Sequence, residues 1–206
     1  LGWSLRAGNC AAQNLPDNHE EVLLEAYLQE AWVIRNHKIP AALRVNTDQT
    51  QTVYAPGTKL TWNKAGKKQI NIVGMDNKRA FTLVSLISAS GEVLPMQAIY
   101  AGRTEASCPK KSSASYNESQ ELKFSFEPSG NDTYWSTMDT MKSLITNVIA
   151  PYFEAKKKEL GISDPEYQSS LWKIDCWSLH KSKEFLGWMK KTHPNIIIIF
   201  VPGNCT

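Results

Sequence analysis

The run NIIIIFV at 195–201 constrains the fold more than any other stretch of this chain. It is apolar and β-branched with no polar alternation. Such a run suits a strand buried on both faces, as in the centre of a parallel sheet. Just before it, SKEFLGWMKKTHP at 182–194 reads as a helix with Phe185, Trp188 and Met189 turned inward and His193-Pro194 as its end. Before that helix, the apolar run in SSLWKIDCWSLHKS predicts a strand over 171–175 that ends in a single acid, Asp175. A strand, a helix and a strand in this order form a crossover unit, so helices must pack on the sheet.

Upstream, AFTLVSLISASGEVLPMQAIYAG at 80–102 reads as an antiparallel hairpin, with Gly91 supplying the turn in Ala89-Ser90-Gly91-Glu92. ALRVNTDQT at 42–50 reads as an extended segment with Leu43, Val45 and Thr47 on one side and Asp48 near its end. A helix is predicted over 17–36: Asp17 and Glu20 have capping-box spacing, and Leu24, Tyr27, Leu28, Ala31 and Ile34 share a face. A second helical pattern covers 136–161. Ser136 and Asp139 are placed to cap it, Gly161 to close it, and Pro151 to kink or split it. A short strand is expected at 69–73. The polar stretch 103–132 reads as an irregular insertion with a short strand near 124–126. The predicted class is therefore α/β, a mixed sheet containing an antiparallel hairpin and flanked by helices. The segment 1–40 is expected to be a helical linker ahead of a core at 41–206.

The 206 residues fit one large domain or a domain with an appendage, and 42% apolar content is enough for a soluble core. A formal charge of +3 is too small for composition alone to announce a nucleic-acid binder. The four cysteines are scattered without ligand spacing and read as reduced thiols of an intracellular protein. No apolar stretch reaches membrane-spanning length, so no membrane partner is expected. The chain opens on Leu1 and stops at VPGNCT, which suggests a piece of a longer protein.

Asp48 and Asp175 both fall at the carboxyl ends of predicted strands, the edge where ligands collect in open α/β sheets. If their strands are neighbours, two carboxylates converge, and one takes up a proton unless a cation sits between them. Mg²⁺ fits, because it prefers oxygen ligands and retains waters for phosphate substrates. Two such ions about 4 Å apart can clamp an in-line phosphoryl displacement. The plainer alternative is that Asp175 caps the next helix and Asp48 holds a turn beside Gln49 and Thr50.

The segments RVNTDQTQTVY, AFTLVSLISASGEVLPMQAIYAGRT and LWKIDCWSLHKSKEFLGWMKKTHPNIIIIFVPGNCT together resemble the DDE superfamily endonuclease domain. That is the domain of pogo-type and mariner-type transposases and of their jerky-like and centromere-protein-B-like relatives. The resemblance covers about 43–206. It implies a ribonuclease-H-like fold, with Asp48 matching the first catalytic acid and Asp175 the second. It also implies a nuclear protein that hydrolyses DNA at a transposon end with Mg²⁺ or Mn²⁺, then lets the freed 3′-hydroxyl attack target DNA. A homodimer of the full-length protein is a further expectation. The family's third acid lies beyond the second and after the next strand, past Thr206. Glu184, within the following helix, is expected to be solvent-exposed rather than a substitute. Two functions follow: a metal-dependent endonuclease, or a domesticated relative that keeps the fold as a DNA-binding or interaction module. A ribonuclease-H-like nuclease acting on RNA or hybrids is permitted by fold alone, but the resemblance at the hairpin and both acids argues against it.

Around these acids, His180 could touch a phosphate, orient a metal-bound water, or simply cap or pack. Asn46 and Gln49 could hydrogen-bond metal-bound water, or serve as ordinary strand-end groups. Trp62, Trp135, Trp172, Trp177 and Trp188 read as packing residues, with Trp177 nearest the site. Lys67 and Lys68 could follow a phosphate backbone.

Overall fold

The computed structural model describes residues 3–7, 17–53, 60–64 and 80–203. The expected strand at 69–73 and Lys67 and Lys68 lie outside them. So do Cys10 and Cys205, whereas Cys108 and Cys176 are free thiols.

The chain runs through β1 (Trp3–Ala7), α1 (His19–Asn36), β2 (Arg44–Val53), β3 (Leu60–Lys64), β4 (Ala80–Ser88) and β5 (Gln97–Tyr100). It continues through α2 (Tyr116–Glu121), β6 (Ser125–Pro128), α3 (Met138–Leu144), α4 (Ala150–Glu159), β7 (Ser170–Ile174), α5 (Lys183–Thr192) and β8 (Ile196–Phe200). β1 pairs antiparallel with β3 in a small ladder of its own. The main sheet has six strands in the order β6-β5-β4-β2-β7-β8. β4 is antiparallel to both β2 and β5, while β7 is parallel to β2 and β8 is parallel to β7. The molecule is thus an α/β protein with a mixed sheet and flanking helices, as the sequence predicts.

The hairpin forms as expected. Gly91 adopts a φ of 91°, a left-handed conformation that favours glycine, and its N–H donates to the Ser88 carbonyl at 3.0 Å. The insertion also holds a strand, β6, which pairs in parallel with β5 at the sheet edge.

Burial alternates strictly along the central strands. Val45 and Thr47 of β2 and Val84 and Leu86 of β4 are buried, while Asn46, Asp48 and Ile87 between them are exposed. The buried face packs on α3, α4 and α5 through Met141, Leu144, Phe153, Phe185 and Met189. Each such side chain contributes about 1.5–3 kcal/mol on burial. The opposite face is left for α1, which reaches it through an ion pair between Glu30 and Lys173 at 2.6 Å.

Pro151 does interrupt the long helix. It has no N–H for the i→i−4 ladder, and the turn just before α4, Ile145–Ile149, relaxes into a π-helix. The start of this helix differs from expectation. Thr137, not Ser136, caps it in a reciprocal pair with Thr140, because Ser136 spends its hydroxyl on Gln49.

Three other expectations are corrected. Asp17 and Glu20 form no capping box: Asn18 is the N-cap of α1 and makes no side-chain cap bond. The shared face of Leu24, Tyr27, Leu28 and Ala31 does not face the core, since all four are exposed and α1 is anchored instead by Val33 and Ile34. The isoleucine run is not central. β8 is the last strand of the described sheet, and only Ile199 of the run is fully buried. A β-branched run reports that a strand is packed, but it cannot report how many neighbours the strand has.

His193 closes α5 against a cavity of about 380 Å³ whose walls include Lys157, Ser170 and His193. Burial pushes its imidazole below the ordinary value of 6.5. The unfolded chain therefore binds the proton more readily, so this group's stabilising effect is full above pH 6.5 and is lost as pH falls through it. Thermal melts should show His193→Gln losing less stability than the parent on acidification across that value. Parallel pH profiles would contradict this account.

Candidate active site

β2 and β7 are adjacent and parallel, paired through Arg44–Leu171, Val45–Trp172 and Asn46–Lys173. Two residues further along each strand, this register brings Asp48 level with Asp175. Asp48 follows Asn46 on the face that α3, α4 and α5 leave open, but it lies midway along β2, which runs on to Val53, and not at the strand's end as expected. Asp175 is past the ladder and turns its carboxylate to His180. Asp175 lies one residue past the end of β7, where the strand is still held by the Val201 N–H donating to the Ile174 carbonyl at 2.7 Å. A hydrogen bond on the buried face fixes the register: Trp172 Nε1 donates to Thr47 Oγ1 at 2.8 Å.

Each acid has one oxygen engaged. Asp48 Oδ1 accepts the Gln49 N–H at 2.9 Å, and the Asp48 carbonyl accepts from Ser85 Oγ at 3.3 Å. Asp175 Oδ1 lies 2.9 Å from His180 Nδ1, with the Asp175 side chain still 47% exposed. No hydrogen bond engages the Oδ2 atoms among the described residues. Asp175 does not cap α5; Ser182 does, accepting the Phe185 N–H at 3.1 Å.

His180 has little freedom. It is 2% exposed and lies against Trp172, Trp177 and Phe185, with Trp177 edge-on at 5.3 Å. Its Nδ1 faces two acceptors, the Asp175 carboxylate and the Asp175 carbonyl, and so carries the proton. Its Nε2 is buried without a partner. A histidine enclosed in this way does not reach a phosphate; it orients Asp175.

Other sequence candidates are placed differently. Gln49 points to the opposite face, where its Oε1 accepts from Ser136 Oγ at 2.6 Å and its Nε2 meets Met141 Sδ at 3.7 Å. It ties β2 to α3 and is not available beside Asp48. Asn46 is exposed on the acid face, above a hollow of about 150 Å³ that it shares with Glu30 and Lys173. Glu184 is exposed as expected and pairs with Lys142 at 3.5 Å. Trp172 is core, Trp177 and Trp188 are half-buried, and Trp135 departs from expectation at 55% exposed. The side chain of Trp62 is outside the described residues.

Sequence reading missed Lys173, which is level with Asn46 across the β2–β7 ladder and is committed to Glu30 at 2.6 Å. The signal was a lone cation within the apolar run LWKI. Among the described residues no three His, Cys, Asp or Glu side chains are grouped to share a metal ion. No described helix is long and apolar enough to cross a membrane. No family model, curated protein or solved structure matches the chain.

The environment of His180 generates a test. Replacing it by phenylalanine keeps the aromatic slot filled and removes the buried Nε2, which offsets the lost bond to Asp175. Denaturant melts should place His180→Phe within about 1 kcal/mol of the parent. His180→Ala opens a cavity and should cost about 2–4 kcal/mol. Equal losses for both variants would mean that packing is not what holds the ring.

Proposed function

We propose that this chain is the catalytic core of a transposase-derived DDE-type endonuclease, built on a ribonuclease-H-like sheet and acting on DNA in the nucleus. The observation that carries the reading is that β2 and β7 are adjacent and parallel, which puts Asp48, midway along β2, and Asp175, just past β7, on neighbouring strands running the same way. An antiparallel β2–β4–β5 meander continued on its other side by parallel β7 and β8 supports the ribonuclease-H-like assignment.

The donor chemistry suits a hard divalent cation. Two carboxylates, each with one oxygen uncommitted, match the one or two protein carboxylates that usually hold Mg²⁺. Asp48 and Asp175 would be its ligands, with Mn²⁺ as a substitute. When bound, such an ion supplies Lewis-acid polarisation of a phosphoryl oxygen and a water of lowered pKa. The chain's own residues supply placement. The Gln49 N–H fixes Asp48, and His180 fixes Asp175 from behind. The Lys173–Glu30 pair keeps a cation and an anion paired beside the acids instead of leaving either free to compete for them.

A second reading is favoured by the acid count. With two acids and no third ligand grouped among the described residues, the same fold suits a relative that has lost cutting and binds DNA or protein partners. Calorimetric titration with Mn²⁺ separates the two. The endonuclease reading expects micromolar binding that is abolished in Asp48→Ala and weakened about 10–100-fold in His180→Phe. Absence of binding by the parent would favour the module reading.

The DDE endonucleases that the chain resembles use a third carboxylate beside these two. The 206-residue chain should therefore leave supercoiled DNA intact in Mn²⁺. Nicking above the level of an Asp175→Ala control would show that two acids suffice.

A further inference from the structure

α1 presents an apolar stripe to solvent. Leu24, Tyr27, Leu28 and Trp32 are 57%, 67%, 56% and 62% exposed, and exposed Ala31 lies among them. Their spacing is helical, so they form one continuous strip beside the packed line through Val22, Ala26, Glu30 and Val33. Isolated exposed apolar residues need no explanation, but a contiguous strip on one helix marks an interaction surface.

The charges at the two ends of the strip identify what covers it. Glu20 and Glu21 occupy the first turn of α1 and Arg35 the last. At 100° per residue, Glu20 and Arg35 lie on the same side of the helix as Leu24 and Ala31. Neither has an ion-pair partner among the described residues. A surface that is acidic at one end, apolar in the middle and basic at the other is complementary to itself when turned around.

We propose that α1 is a homodimer contact in which two copies pair antiparallel about a two-fold axis between Tyr27 and Leu28. That arrangement packs Tyr27 on Leu28 of the partner subunit and Leu24 on Ala31 of the partner subunit. It sets Glu20 against Arg35 of the partner subunit, and by symmetry the reverse, so the contact is isologous and closes at two copies. The antiparallel helix dipoles add a small favourable term of the same sign. α1 spans about 27 Å by its rise per residue, and one strip of that length falls short of the roughly 800 Å² per partner of a standard interface. The expected association is therefore on the order of micromolar. The proposal rests on α1 alone and is independent of the proposed chemistry at Asp48 and Asp175.

Sedimentation velocity across the micromolar range tests it on the intact chain. The parent should shift from monomer to dimer, and Leu28→Glu should weaken the dimer by at least about tenfold. Because Leu28 is solvent-exposed, circular dichroism should show that variant folded like the parent. Glu20→Arg and Arg35→Glu should each weaken association, and the double variant Glu20→Arg/Arg35→Glu should restore it. A parent that stays monomeric throughout, a dimer indifferent to Leu28→Glu, or a double variant no better than the singles would each overturn the proposal.

Discussion

The register between β2 and β7 is the constraint on which the rest depends. Side chains alternate across a strand, so a slip of one residue would carry Asp48 to the buried face and bring Thr47 out. The Trp172–Thr47 hydrogen bond opposes that slip. Thr47 is a buried hydroxyl and Trp172 a fully buried indole, and each satisfies the other in a place water does not reach. Losing the pairing would leave two polar groups stranded in the core, at a cost of about 1–3 kcal/mol for each group left unsatisfied. The core therefore fixes the geometry of the rim.

From the same constraint follows a division of labour between the two faces. One face is filled by α3, α4 and α5, and the polar groups buried there act as ties: Gln49 to Ser136, Gln97 Nε2 to the Thr140 carbonyl at 2.9 Å, and Trp172 to Thr47. The other face is only partly covered, by α1, and leaves Asp48 exposed. Exposed acids can bind a cation without a prior desolvation penalty, whereas acids on the filled face would have taken up protons instead.

His180 shows how the two faces communicate. It sits in an aromatic enclosure and carries an unpartnered Nε2, which is a stability cost of the kind that buried polar groups incur. In return its Nδ1 holds Asp175 at the end of β7, where the strand ladder to β2 has already ended. α1 is the converse. It is attached by Val33 in its last turn and, just beyond its end, by Ile39 and the His37 contacts to Gln168 and Ser169, while its strongest apolar strip stays outside.

Much of this was legible in the residues themselves. The hairpin around Gly91, the interruption at Pro151, the strand that ends beside Asp175, and the inward side of α5 all follow from local patterning and backbone chemistry, whereas β2 runs on to Val53 past the end expected near Asp48. What the sequence alone could not decide was neighbourhood. Apolar spacing marks a face of α1 but not whether that face meets the core or the solvent, and a β-branched run marks β8 as a strand without saying that it lies at the edge. Gln49 beside Asp48 looks like a companion to the acid until alternation sends it to the other face. Only tertiary pairing set β7 beside β2 in the register that brings Asp48 level with Asp175, because local preference acts over a few residues while strand adjacency is chosen by the whole core at once.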